Sequence, residues 1–220
     1  MRHRTTKSGP NLARNLHPSA ISHHEPVYES MPLGPLRFFG PRTLRKGYHP
    51  AMSELYTYRP LDPRNTDELD AVVCFSIMTL WESRPEIRHN PKGLPGYSWS
   101  ETHALYRAGI NSKDQRYLVA LGPDGNLAGS SVVVMRTNAT GQAYGYFWSR
   151  YVLPEHRRCG MARRFLHDNL NWFRSRKAAY AEVHIHVENR SLRSLFESEK
   201  FKVEDRGHGP FTWLVLRRHL

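Results

Sequence analysis

Apolar and polar positions follow two rhythms along the chain, one typical of strands and one typical of helices. From Glu54 onward, short runs rich in β-branched and aromatic residues predict strands, and apolar residues spaced three and four apart predict amphipathic helices. The predicted strands are residues 55–59, 116–121, 127–135, 144–152, 180–187, 201–204 and 211–216. The predicted helices begin at Asn65, at Ser98 or Ser100, after Gly160 and at Asn189.

This order of elements, β-α-α-β-β-β-α-β-α-β-β, favours one α/β domain without internal repeats. Consecutive strands joined by short turns, such as residues 122–126, predict hairpins. We therefore expect a mixed, mostly antiparallel sheet with flanking helices. A loop rich in proline and glycine is predicted at residues 84–97.

The first quarter of the chain differs from the rest. Residues 1–51 hold seven of the fifteen prolines and eight Lys or Arg residues against two acidic ones. Such a composition cannot bury enough apolar surface to offset chain entropy, so we expect a mobile basic extension before a domain at residues 52–220. The extension is open to three interpretations: a basic arm for nucleic acid, a targeting peptide within the first 24 residues, or a dispensable leader.

The charge of the chain restricts its partners. A net charge of +12 and a pI of about 10.0 favour anions: nucleic acid, phosphate-bearing cofactors or acidic membranes. No apolar run approaches the roughly 20 residues of a membrane span, and no signal core opens the chain. Two cysteines, Cys74 and Cys159, favour a reducing compartment rather than a disulfide framework. We expect a cytoplasmic protein without a membrane partner.

One turn carries the clearest chemistry. Residues 144–152 predict a strand that Pro154 ends, and a helix follows Gly160. A basic turn with small residues at a helix start leaves N–H groups unpaired and lets an anion come close. We predict a phosphate or pyrophosphate cradle from Arg157, Arg158, Cys159, Gly160, Met161 and Ala162.

The same turn, RRCGMA, matches the [Arg/Gln]-x-x-Gly-x-[Gly/Ala] turn of a known family, and VLPEH before it matches the segment that usually precedes that turn. Residues 187–201, VENRSLRSLFESEKF, resemble the same family's Asn-x-x-Ala-x-x-Leu-Tyr-Glu-x-x-Gly-Phe helix. The chain thus resembles the GCN5-related N-acetyltransferase (GNAT) superfamily, in outline over residues 54–220 and specifically over 144–201. The resemblance implies acetyl-CoA as acyl donor and direct transfer of its acetyl group to a primary amine.

The resemblance also implies roles for individual residues. The pyrophosphate would lie on the turn, and backbone groups near Tyr151 and Val152 would hold the pantetheine amides. Asn189 would face the pantetheine from the other side. Phe196, beside the cofactor, falls where the family often has a tyrosine acid that protonates the leaving thiolate. Because phenylalanine cannot donate a proton, the acid is open: Tyr180, Tyr146, Cys159, water, or none.

His184 is the candidate base. It lies where peptide N-terminal acetyltransferases often have a glutamate, and a histidine that titrates near neutrality suits removal of a proton from an ammonium. The alternative is that His184 and His186, on one face of a strand, only pack or hydrogen-bond there. We predict no metal site, because no third ligand has convincing spacing.

The acceptor is open at this stage. A small molecule, a peptide or protein amine, or an aminoacyl-tRNA would each supply the amine, and RNA would account for the basic charge. A function of another class is a non-catalytic acyl-CoA-binding or nucleic-acid-binding module, which the phenylalanine at position 196 favours. The sequence also leaves a homodimer open.

Overall fold

The computed structural model describes residues 55–83, 98–206 and 212–220. The described strands are β1 (Thr57–Pro60), β2 (Gln115–Leu121), β3 (Leu127–Thr137), β4 (Ala143–Val152), β5 (Tyr180–His186), β6 (Lys202–Arg206) and β7 (Trp213–His219). The described helices are α1 (Thr66–Ser83), α2 (Trp99–Gly109), α3 (Met161–Ser175) and α4 (Arg190–Ser198), and a single 3-10 turn, Pro154–His156, follows β4. The predicted extension at 1–51 and the loop at 84–97 lie outside the described residues.

The strands form one seven-stranded sheet in the order β1-β2-β3-β4-β5-β7-β6. All neighbours pair antiparallel except β4 and β5, which are parallel and are connected through α3. The predicted fold class, a mixed and mostly antiparallel sheet with flanking helices, is confirmed, and the predicted elements recur in order with ends shifted by one to three residues.

The helix starts follow the predicted caps with one difference. Ser98 caps α2 and exchanges bonds with Glu101 in a complete capping box. Asn65 Oδ1 accepts the Glu68 N–H at 3.2 Å as expected. The Glu68 carboxylate does not return the bond to the cap, because Arg59 of β1 pairs with it at 2.9 Å. The same side chain thus fastens β1 to α1 and leaves half of the predicted box unformed.

Two layers of helices cover the sheet. Helices α1 and α2 pack on one face around Tyr106 and Tyr117, while α3 and α4 pack on the other around Phe147 and Phe196. The second core is tight at Gly145, where a Cβ would lie 2.3 Å from the ring of Phe173. Glycine at this point lets α3 approach the sheet closely next to the β4–β5 pairing.

A bulge interrupts β4 at its middle. The register with β3 shifts between Val132 and Val133, so that Trp148 is the extra residue. Ser149, directly after it, is held by a buried chain of hydroxyls. Ser76 Oγ donates to Ser149 Oγ at 2.8 Å and lies 2.6 Å from Tyr106 Oη. Beyond the bulge, β4 contacts α1 through Ser149 and the Arg150 carbonyl.

Within the described ranges, no helix has the length and apolar character that a bilayer span requires.

Candidate active site

The sheet opens between β4 and β5. The two strands pair over only three positions, from Gly145 opposite Ala181 to Phe147 opposite Val183. Beyond these pairs β4 continues to Val152, while β5 continues to His186 and pairs only with β7. The outer half of β4 therefore has a free edge that faces an opening, closed at its inner end by the paired residues.

The predicted anion turn lies at the outer end of this opening. Arg158 and Gly160 both have positive φ, 65° and 89°, so the turn uses two left-handed positions before α3. Gly160 is the N-cap and supplies no side-chain hydrogen bond, and the first turn of α3 contains no acidic residue. No side chain of the cap or of the first turn thus neutralises the N–H groups at the start of α3, and the positive end of the helix dipole can attract an anion.

The remaining turn residues divide into buried and exposed ones. Cys159 and Met161 are buried, 3% and 1% exposed, and the Cys159 thiol donates to the His156 carbonyl at 2.8 Å. Both side chains anchor the turn in the core. Ala162 continues the helix and Arg158 is exposed. The turn can therefore offer an anion its backbone N–H groups, with the Arg158 charge beside them.

A polar stripe on α1 holds the outer half of β4. Its three members, Ser76, Thr79 and Glu82, are spaced three apart and so lie on one side of the helix. Ser76 bonds Ser149, as described above, and Thr79 Oγ1 donates to the Arg150 carbonyl at 3.1 Å. The stripe replaces the strand neighbour that β4 lacks in this region.

Glu82, the last member of the stripe, joins two predicted site residues. The Tyr151 hydroxyl donates to Glu82 Oε1 at 2.7 Å, and the Arg157 guanidinium reaches both carboxylate oxygens at 2.9 and 2.8 Å. Burial and then this carboxylate raise the pKa of Tyr151 to about 12. Because Glu82 balances its charge, Arg157 braces the turn instead of presenting a free cation to it.

The backbone of β4 presents alternate residues to the opening. The Leu153 N–H bonds the Ala128 carbonyl of β3, so by alternation the polar groups of Val152 and Arg150 point away from β3. Arg157 Nε donates to the Val152 carbonyl at 2.9 Å. Of the two predicted pantetheine contacts, Val152 therefore has its backbone in the opening, while the backbone of Tyr151 faces β3.

The predicted residues of α4 have structural partners. Asn189 is the N-cap, and its Oδ1 accepts the Leu192 N–H at 3.1 Å. Phe196 is fully buried and packs edge-on against Phe147 and Phe201, with ring centroids 5.2 and 4.8 Å apart. Asn189 thus uses its Oδ1 within the helix, and Phe196 lies beneath a covering side chain.

That covering side chain belongs to Arg150. Its guanidinium carbon lies 4.7 Å from the centroid of the Phe196 ring, and its Nη1 is buried without a hydrogen-bond partner among the described residues. Burial lowers the pKa of Arg150 to about 10. A cation is therefore held at the inner part of the opening, on the α4 face, with no counter-ion among the described residues.

The candidate base lies on the opposite face. His184 is the first residue of β5 beyond the pairing with β4, and its Nε2 lies 3.0 Å from Glu182 Oε1. Its ring stacks on Trp213 and meets the edge of Tyr146. Since Nε2 is engaged, Nδ1 is the nitrogen free to accept a proton when Nε2 carries the hydrogen.

A buried carboxylate orients this histidine. Glu182 is 5% exposed and also accepts from Arg217 Nε at 2.6 Å. Burial acts to raise the pKa of Glu182, but the hydrogen bonds from His184 and Arg217 outweigh it and lower the pKa. The carboxylate is thus ionised at neutral pH and fixes the ring of His184.

Arg150 and the stripe of Ser76, Thr79 and Glu82 were not predicted from the sequence. The stripe had a signal, because three polar residues at helical spacing interrupt an otherwise apolar helix. Arg150 had a weaker one: a charged residue inside a strand of aromatic and apolar residues. Neither signal indicates a partner without the three-dimensional structure.

Among the residues that the structure describes, no group of three or more His, Cys, Asp or Glu side chains is placed to hold a metal ion.

Comparison with known proteins identifies the type of domain. A sequence model described as the acetyltransferase (GNAT) family matches residues 78–201, more than half of the chain. No curated protein matches the sequence.

Solved structures share the fold. A spermidine N-acetyltransferase from Vibrio cholerae, in complex with CoA and spermine, superposes with a TM-score of 0.55 at 21% identity, covering 76% of this chain and 96% of that one. An acetyltransferase of the GNAT family from Streptococcus pneumoniae gives 0.57 at 14% identity, with coverages of 75% and 99%. The NatC complex bound to Gag peptide and CoA gives 0.53 at 17% identity, with coverages of 75% and 98%.

The Glu182 contacts predict a pH-dependent contribution to stability. The Glu182→Gln variant should be less stable than the wild type at pH 7 by about 1–3 kcal/mol, because two charge-assisted hydrogen bonds are weakened. The folded-state pKa of Glu182 lies below the ordinary glutamate value of 4.5, so the unfolded chain binds the proton first as pH falls. The stability difference should therefore shrink below about pH 4.5, measured by urea unfolding at several pH values.

The control is Glu197→Gln, which removes an exposed carboxylate paired with Arg193 and should change stability by less than about 0.5 kcal/mol. A Glu182→Gln difference that stays constant from pH 7 to pH 3 would contradict the assignment of an ionised, hydrogen-bonded Glu182.

Proposed function

The chain belongs to the acetyltransferase (GNAT) family, and we propose on this premise that it is an N-acetyltransferase that moves an acetyl group from acetyl-CoA to a primary amine. The observation that carries the proposal is the opening between β4 and β5, with an uncapped helix start at its outer end and a free strand edge along its length. The CoA complexes among the structural neighbours support an acyl-CoA in such an opening.

The residues present fit an acyl-CoA. The pyrophosphate would be bound by the N–H groups from Met161 onward, with the charge of Arg158 nearby. The pantetheine would run along the β4 edge and bond the backbone of Val152, with Asn189 on the other side. A donor with its phosphates at the α3 end would place its thioester at the closed inner end, near Arg150. When bound, acetyl-CoA supplies the activated acetyl group.

The protein side chains then divide the work between the two faces of the sheet. On the α1 face, the Nδ1 atom of His184 accepts a proton from the acceptor ammonium and frees the amine for attack. Glu182 fixes the tautomer and orientation of the ring through Nε2. In the opening, backbone N–H groups of β4 point toward the place where the thioester carbonyl gains negative charge.

The acceptor would enter beside His184. Its described neighbours include Tyr146, with Arg136 3.9 Å from the ring centroid, and Glu182, already balanced by Arg217. This surface favours an amine on a neutral or acidic body, such as a peptide or small molecule, over a polycation. The neighbours named above act on spermidine or bind a peptide; they give no support to an RNA acceptor.

A specific observation favours a second function. Phe196 is buried under Arg150 and has no acidic hydrogen, so a module that binds acyl-CoA without turnover is the alternative. The two functions differ in the release of free CoA.

The donor site is tested at the N-cap of α3. The Gly160→Asp variant should weaken acetyl-CoA binding at least about a hundredfold, close to 2.7 kcal/mol, because a carboxylate would face the phosphates. Isothermal titration calorimetry measures the change. The matched control is Gly125→Asp in the β2–β3 turn: its φ of 79° is similar, and nothing lies within 4 Å of an added Cβ. Equal affinity of the two variants would overturn the cradle assignment.

The base is tested by pH dependence. His184→Ala should lower kcat by about a hundredfold or more and flatten the acid limb of the kcat/KM profile, because the group that loses its proton there is gone. The control, His167→Ala, removes an exposed imidazole on α3 that pairs with Glu199. It should keep both the rate and the acid limb. An acid limb that survives in His184→Ala would remove His184 as base.

A further inference from the structure

Arg150, a half-buried arginine at the inner part of the opening, has no counter-ion among the described residues. It directs its side chain to the α3–α4 face, over the ring of Phe196. Its Nη1 is buried and has no hydrogen-bond partner in the part of the chain that the structure describes. Buried cations are expected to be paired, so this nitrogen lacks the partner that its environment calls for.

The surroundings of Arg150 exclude an internal partner of opposite charge. The nearest member of the α1 stripe, Thr79, bonds the Arg150 carbonyl and carries no charge. Glu82, the carboxylate of that stripe, is held by Arg157 and Tyr151. Across β3, residue 150 is opposite Ser131. Among the described neighbours, the guanidinium thus has only the face of an aromatic ring.

The position within the opening restricts what the missing anion can be. The opening closes at Phe147, three residues before Arg150, and the uncapped start of α3 lies at the other end. A ligand with its phosphates at α3 brings its reactive end, not its phosphates, to Arg150. By alternation, the backbone N–H groups of Arg150 and Val152 point away from β3, and in the proposed function they bind the thioester carbonyl oxygen. This leaves sulfur as the second atom that gains charge during acyl transfer.

We propose that Arg150 binds and stabilises the CoA thiolate as it leaves. In this step the amine nitrogen bonds to the carbonyl carbon, the C–S bond breaks, and its electron pair stays on sulfur beside the guanidinium. The amine protons pass to His184 and to solvent, so no proton donor is needed at sulfur. The inference rests on the proposed function. It explains how the thiolate can leave although Phe196 cannot donate a proton to it.

The charge state of Arg150 suits this role. Even with its pKa lowered to about 10 by burial, the guanidinium is protonated at neutral pH. A fixed cation in a water-poor site acts more strongly on a developing anion than the same charge in water.

The direct test is a titration of CoA on the protein. The thiolate of bound CoA is followed by its ultraviolet absorbance against pH in wild type, Arg150→Met and Arg150→Lys. We expect the thiol pKa of bound CoA to lie about one unit or more below that of free CoA in wild type. The shift should be kept in part in Arg150→Lys and lost in Arg150→Met. Arg174→Met, which removes an exposed cation bonded to Asn171, is the control and should keep the shift.

Two further readouts separate a charge effect from damage to the fold. Arg150→Met should melt at the wild-type temperature or above, because an unpaired buried charge is replaced by an apolar side chain of similar length. Its kcat should fall by about a hundredfold or more, with the KM for the amine little changed.

The outcomes distinguish the two proposals. No CoA binding to wild type by calorimetry would overturn both. CoA binding with an equal thiol pKa in wild type and Arg150→Met would overturn the role of Arg150 alone. A wild-type preference for succinyl-CoA over acetyl-CoA that disappears in Arg150→Met would overturn it too, since the partner would then be an acyl carboxylate.

Discussion

β4 separates early from β5, and the other features of the candidate site follow from this separation. A strand edge in the middle of a sheet carries polar groups that must be satisfied. Here β4 loses its parallel neighbour after Phe147, and side chains take part of that neighbour's place: Thr79 bonds the Arg150 carbonyl and Arg157 the Val152 carbonyl. The bulge at Trp148 and the stripe on α1 keep the edge open without leaving it unsupported.

The same separation gives the two faces of the sheet different chemistry. His184, the first residue of β5 past the pairing, lies on the α1 face with an ionised carboxylate behind it. Arg150 lies on the α4 face with nothing behind it but the ring of Phe196. In the proposed function, the imidazole on one side, the cation on the other and the backbone N–H groups between them match the three places where protons or charge move in acyl transfer to an amine.

Much of this arrangement could be predicted from local signals. The order of strands and helices and the cap of α2 follow from periodicity and capping residues, and the turn at Gly160 follows from a local motif. Contacts between distant segments could not be predicted in this way. The pairing of Arg157 with Glu82 neutralises a charge that was expected to be free, and the Arg59–Glu68 contact replaces half of a predicted capping box. The sequence around Arg150 does not indicate that its guanidinium lies over the ring of Phe196 on α4.

Acetyl transfer in this opening is tested by incubating purified protein with acetyl-CoA and a panel of amines that contains peptides, small molecules and aminoacyl-tRNA. Free CoA release and product mass are recorded together. Acetyl transfer predicts CoA release that depends on an amine, with one acetyl group added to that amine. Tight acetyl-CoA binding with no amine-dependent CoA release from any acceptor would contradict it and leave a binding module in its place.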